Sequence, residues 1–159
     1  MRKNRIRERL AAGEVALGGN VGAYAPDLVE LLGAMGLDWV FIDCEHGSMN
    51  ETEVTNMVRA ADIYDMTPIL RVPTNSPHVI LRYMDVGVMG VVIPHLDTKE
   101  DAEKAVRAVK YYPMGERGSN YGGGRNNDYG IGTTDVRDYY DASNRETMVI
   151  ALIESEEAV

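Results

Sequence analysis

The stretch Phe41-Ile42-Asp43-Cys44-Glu45-His46-Gly47 carries an apolar run straight into two carboxylates and an imidazole, closed by a glycine. Clustered ionisable groups are costly to desolvate, so a strand ending this way is expected to open into solvent-filled space. In a parallel α/β sheet that space is the crevice at the C-terminal ends of the strands. Two further groups end apolar runs: Arg71 after Pro68-Ile69-Leu70, and Glu154 after the run 148–153. Such carboxylates suit a hard divalent cation, Mg²⁺ or Mn²⁺, which one or two of them hold while water and substrate complete the shell. An Arg fork suits a substrate carboxylate, and an imidazole can take or return a proton. The set describes a site for a 2-oxo acid, held by metal and Arg while a base moves a proton.

Each residue taken singly has a plainer reading. Glu45 fits a salt bridge at a sheet rim, His46 a partly exposed histidine, Arg71 a surface ion pair, and Glu154 an acid at a helix N-terminus. His78 and His95 carry the same ambiguity and stay outside the core set. Cys44 reads as a small packed residue and not as a nucleophile. What joins the four groups is that all would stand on one rim.

Composition narrows the classes. The chain has 159 residues, 45% hydrophobic and 26% charged, as in an ordinary globular protein. A net charge of −9 argues against nucleic acid as partner, because phosphate binding needs a basic surface. No apolar run reaches the roughly 18 residues of a membrane span, and the basic start has no apolar stretch behind it. The single Cys44 excludes an intramolecular disulfide and fits a reducing compartment, so the cytoplasm is the expected location. Lys and Arg crowd into the first nine residues, which reads as a solvated helix face.

The elements that must position these groups alternate. Helices are expected at about 2–12, 26–35, 50–64, 77–84, 98–109 and 135–143. Strands are expected at 15–21, 38–42, 68–72, 90–94 and 148–153. Ser48 with Glu51 has the spacing of a capping box for the third helix. From 111 to 130 six glycines stand among Asn and Tyr, the texture of a long loop, and long loops in enzymes cover a site or mediate assembly. Pattern alone allows a doubly wound sheet or a (β/α)8 barrel. The chain stops one turn into a further helix, and a barrel needs roughly 200 residues or more. The expected fold class is therefore α/β, a single (β/α)8 TIM barrel truncated after about six βα units, over 1–159.

Six ordered blocks, at 10–14, 38–47, 68–73, 85–94, 112–118 and 153–158, resemble the class II pyruvate aldolases of the HpcH/HpaI family from about Asn4 to Val159. The resemblance implies a metal-dependent aldolase that cleaves or forms 4-hydroxy-2-oxo or 2-keto-3-deoxy acids through a pyruvate enolate. It implies His46 as general base, oriented by Asp85, and Arg71 as the group that binds the oxo acid and stabilises enolate charge. Glu154 would be the first protein ligand of Mg²⁺, Mn²⁺ or Co²⁺, with Asp43 and Glu45 in support. The second ligand, an aspartate, would lie beyond Val159, and Leu152 stands where the family usually carries glutamine. Partners would be a 2-oxo acid and an aldehyde, in a homo-oligomer, often a hexamer. Two other readings compete: a citrate-lyase-like enzyme acting on CoA esters, and a non-catalytic partial-barrel assembly subunit.

Overall fold

The computed structural model describes residues 2–132 and 135–159. The elements run α1 (Arg5–Ala11), β1 (Gly18–Val21), α2 (Pro26–Ala34), β2 (Trp39–Asp43), α3 (Glu51–Ile63), β3 (Thr67–Arg71), α4 (Pro77–Asp85) and β4 (Gly90–Ile93). They continue with α5 (Lys99–Val109), a 3-10 turn (Arg125–Gly130), α6 (Val136–Glu146), β5 (Met148–Ala151) and a last 3-10 turn (Glu156–Ala158). All strands pair in parallel and lie in chain order, β1-β2-β3-β4-β5. A doubly wound sheet reverses its strand order at a switch point, and this one does not. The described residues form five strands, so the expectation of about six βα units exceeds what the chain builds.

Strand side chains alternate between two faces. Val40, Ile42, Leu70, Val72, Val91 and Ile93 pack with Val29, Val54, Met57, Val58, Ile80, Met84, Ala105 and Val109 from four helices in the larger core. The alternate residues face the other way: Ile69 and Val92, with Trp39, Phe41, Met148, Ile150 and Leu152 packed around them, form a second cluster. Ile6 of α1 belongs to that second cluster. The helices α2 to α5 thus cover one face, while the other face carries its own apolar lining.

The basic start is a structural tie and not the solvated face that its composition suggests. Arg5 and Arg9 pair with Asp38 at 2.8 and 3.1 Å, and Arg2 pairs with Asp62. Asn4, fully buried, donates its backbone N–H to Glu146 Oε2 and its side-chain amide to the Glu146 carbonyl, each at 2.9 Å. Asp38, Thr67 and Glu146 precede or begin strands, so α1 is fastened across the N-terminal ends of the sheet.

Two local expectations are corrected. The capping box of α3 is Asn50 with Glu53, each side chain bonded to the other's backbone N–H, and not Ser48 with Glu51. β1 begins at Gly18: the Leu17 N–H bonds the Asp38 carboxylate while its carbonyl still accepts the Asp38 N–H, and Val15 and Leu17 are exposed. No helix among the described residues is long and apolar enough to cross a membrane.

Candidate active site

Register decides the central contact. Asp43 and Arg71 are direct partners at the ends of β2 and β3, so their side chains leave the sheet on the same face. Arg71 Nε and Nη2 reach Asp43 Oδ1 and Oδ2 at 3.0 and 2.5 Å, a bidentate pair. The guanidinium stands over Phe41, 5.9 Å from the ring centroid. Its Nη1 lies 3.1 Å from Glu45 Oε2. Two of its N–H groups thus donate to Asp43, while Nη1 faces Glu45 as an ion pair.

Asp43 also shapes the loop that follows it. Its Oδ1 accepts the backbone N–H groups of Glu45 at 3.0 Å and His46 at 3.3 Å. Gly47 closes that loop because a Cβ there would stand 2.3 Å from the Asp43 carbonyl oxygen and 3.0 Å from that of Gly22. The hydrogen bond from Arg71, helped by those from His46 and Glu45 and opposed by burial, holds the Asp43 carboxyl below the usual carboxylate range. A depressed carboxylate adds stability that is full above its unfolded value, about 3.9, and is lost as pH falls through the lower native value. Urea midpoints are therefore expected to fall more steeply below about pH 4 in the wild type than in Asp43→Asn. Parallel curves for the two would refute the pairing.

Glu45 is the hub of the rim. Its side chain is 12% exposed; His46 Nε2 lies 3.8 Å from Oε2, and His95 Nε2 lies 3.3 Å from Oε1. Although Arg71 Nη1 lies close, Oε2 is buried without a well-formed hydrogen bond. Glu154 reaches the same place from beyond β5, where its Oε2 accepts the His95 backbone N–H at 3.3 Å. Its charge is felt at Arg71, which is raised further by its bond to Asp43. Asp43, Glu45, His46, Arg71 and Glu154 thus meet at the C-terminal ends of β2, β3 and β5, as expected. His95, left aside in the sequence, belongs with them. Its only sequence signal was its place just after β4.

Asp85 does not. It ends α4, which runs back from the C-terminal rim, so it lies at the opposite end of the sheet from His46. Its Oδ1 accepts Arg117 Nη2 at 2.7 Å and Asn126 Nδ2 at 3.5 Å. The expected His46–Asp85 dyad is therefore absent within one chain; the carboxylate beside His46 is Glu45. Arg117 is 7% exposed and stacks 4.7 Å from the Tyr111 ring centroid. Asp85→Ala is expected to cost about 2 kcal/mol in urea unfolding by leaving that buried cation unpaired. An unchanged midpoint would count against the pairing.

The glycine-rich segment lies at that same remote end. It lies between α5 and α6, and its side chains reach back to the end of α4 and to α3. Arg117 and Asn126 bind Asp85, and Arg125 pairs with Asp62. The segment therefore braces the base of its own sheet, not the rim. Cys44 is 6% exposed and burial pushes its thiol up to about 11, consistent with a packed residue and not a nucleophile.

Parallel strands whose C-terminal ends gather carboxylates, imidazoles and a guanidinium define an α/β protein with an enzyme-like rim. The chain belongs to the HpcH/HpaI aldolase/citrate lyase family, whose pattern it matches over residues 20–159. It is 35% identical over 156 residues to a 5-keto-4-deoxy-D-glucarate aldolase from Shigella sonnei, a match covering 98% of this chain. The chain spans 59% of that relative's length. Among solved structures, an HpcH/HpaI aldolase/citrate lyase family protein from Burkholderia cenocepacia superposes with a TM-score of 0.85 at 29% identity, over 98% of this chain and 62% of that one. Citrate synthase SbnG superposes with a TM-score of 0.82, also at 29% identity, over 98% and 58%.

Proposed function

We propose that this chain carries the enolising half-site of a divalent-metal-dependent aldolase that makes or cleaves 4-hydroxy-2-oxo or 2-keto-3-deoxy acids. The observation that carries this reading is Arg71, held by Asp43 and paired with Glu45, which also faces His46, on the rim that Glu154 reaches. The named activities of the relatives agree with it. In this reading the five parallel βα units are consecutive units of one (β/α)8 barrel, whose interior is the second apolar face.

In the synthetic direction Arg71 holds the carboxylate of pyruvate and His46 takes a proton from C3. The C–H electron pair becomes the C2–C3 double bond, and the keto oxygen becomes an oxyanion. C3 then attacks the aldehyde carbon, whose oxygen takes up a proton. Asp43 keeps the Arg71 fork flat and aimed, and Glu45 sets the side of the site on which His46 stands.

The donor chemistry fits a hard cation. Glu154 offers a carboxylate anchored through one oxygen, and Glu45 a buried oxygen with no hydrogen bond. Among the described residues no group of three or more His, Cys, Asp and Glu is placed to hold a metal ion. Mg²⁺ and Mn²⁺ are often held by only one or two protein carboxylates, with water and substrate completing the shell. Glu154 would hold the ion, which when bound would polarise the keto oxygen. A CoA ester is disfavoured: its phosphates would meet Asp43, Glu45 and Glu154, with Arg71 already engaged by two of them.

Exchange of the pyruvate methyl protons for deuterium, followed by NMR, tests the reading without knowledge of the aldehyde. Exchange that requires Mg²⁺ or Mn²⁺ and stops with EDTA is the expected result. Exchange indifferent to EDTA would refute the metal, and no exchange from folded protein with metal would refute the reaction.

A further inference from the structure

The ladder between β4 and β5 runs out at Ile93 and Ala151, with the Leu152 N–H still bonded to the Ile93 carbonyl at 3.1 Å. Glu154 stands two residues further on, exposed, beyond the backbone that the sheet fixes. The His95 N–H reaches its Oε2 at 3.3 Å, toward the long end of hydrogen-bond distances, and by itself leaves the carboxylate room to swing.

A second bond stands beside the first. Ser155 Oγ donates to Asp97 Oδ1 at 2.5 Å, the length of a hydroxyl on an ionised carboxylate. Ser155 precedes the 3-10 turn Glu156–Ala158, where a serine ordinarily turns its oxygen to the first backbone N–H groups of the turn. Here it makes no such cap bond, and the hydroxyl goes to Asp97 instead. Asp97 is rigidly seated. On one side Leu96 is 4% exposed in the larger core; on the other Thr98 caps α5, its hydroxyl accepting the Asp101 N–H at 3.1 Å. Between β4 and that cap the chain bends at His95, whose φ is +53°. The loop after β4 thus holds two successive residues of the segment after β5, His95 holding Glu154 and Asp97 holding Ser155. Two bonds one residue apart define a direction where one defines only a point, so the Glu154 side chain is aimed before a ligand arrives.

We propose that Asp97 and Ser155 form a latch that positions Glu154 as a ligand for a divalent cation, neither of them touching the ion. The inference rests on the aldolase reading above, which makes Glu154 the ligand, and extends it to the residues that orient that carboxylate. Groups that orient a metal ligand from behind set the affinity for the ion. Breaking the latch therefore weakens binding of the cation and leaves turnover of the loaded site near its wild-type value.

Mn²⁺ binding, read from the EPR signal of the free ion, tests this without any substrate. The wild type should bind Mn²⁺, and Glu154→Gln should lose it. Ser155→Ala removes the hydroxyl without changing charge and is expected to weaken binding about tenfold, the lower end of the range for such groups. Asp97→Ala should weaken it at least as much, and the double variant no more than Asp97→Ala alone, because both substitutions break one bond. Ser155→Thr keeps the hydroxyl and should restore wild-type affinity. In pyruvate exchange, Ser155→Ala should raise the Mn²⁺ concentration for half-maximal rate by the same factor, with the saturated rate within about twofold of wild type. Its thermal melt should match the wild type. Wild-type Mn²⁺ affinity in Ser155→Ala would overturn the inference; a loss confined to Asp97→Ala would then mark Asp97 as acting by charge or as a ligand itself. Losses that multiply in the double variant would also overturn it. A wild type that binds no Mn²⁺, or a Glu154→Gln that binds it unchanged, fails the metal reading itself, and the latch with it.

Discussion

Arg71→Ala is expected to lose both pyruvate exchange and stability, and the two losses have separate causes. Exchange should fall about 10²- to 10³-fold, the usual effect of removing one group that stabilises developing oxyanion charge. Stability should fall by about 3 kcal/mol, because Asp43, 8% exposed, and Glu45, with 12% of its side chain exposed, would keep their charge without a cation between them. The figure sits at the lower end for broken buried pairs because Asp43 retains the N–H groups of Glu45 and His46. Arg71→Lys separates the two effects. An ammonium restores the charge but cannot give a flat two-point contact to Asp43 and reach Glu45 at the same time. It should recover most of the stability and little of the exchange. Urea unfolding and methyl exchange on the same preparations check this. A variant with wild-type exchange would remove Arg71 from the site, and one with wild-type stability would show that the Asp43 pair holds nothing together.

Why the rim was legible in the sequence, and where legibility stopped, follows from the range of the forces. Asp43, Glu45, His46, Arg71 and Glu154 each follow an apolar run, and parallel topology places every such end on one rim. Only the register of β2 against β3 could say that Asp43 faces Arg71, and register depends on the whole sheet. His95 was passed over because nothing local marks it. Its backbone N–H meets Glu154, 59 residues further along the chain. Asp85 was named only through the family resemblance, and nothing in its local sequence says which end of the sheet it serves; the returning helix α4 and Arg117 show that. The same blindness to long-range contacts applies at the start of the chain. Arg5 and Arg9 read as solvated until Asp38 is seen between them. The glycine-rich segment read as a loop correctly, but composition carries no information about which end of the sheet a loop covers.

His46→Ala provides the contrast that tests whether chemistry and scaffolding are separable on this rim. The His46 ring is 74% exposed and lies 3.8 Å from Glu45, so its removal should leave urea and thermal midpoints close to wild type. The backbone N–H of residue 46, which Asp43 accepts, survives the substitution. Exchange, however, should fall about 10²- to 10⁴-fold, the range for loss of a positioned general base. Arg71→Ala should cost both quantities, His46→Ala only one, and Asp85→Ala only the other. This pattern follows from where the three side chains stand: one inside the ion-pair network, one at its open edge, and one at the far end of the sheet. The base assignment carries the greatest risk, since Glu45 and His95 stand close enough to take over the proton. If His46→Ala kept exchange within about tenfold of wild type, the proton would have to pass through Glu45 or His95. A Glu45→Gln variant would then distinguish the two, because it removes the carboxylate base while His95 keeps its neighbour.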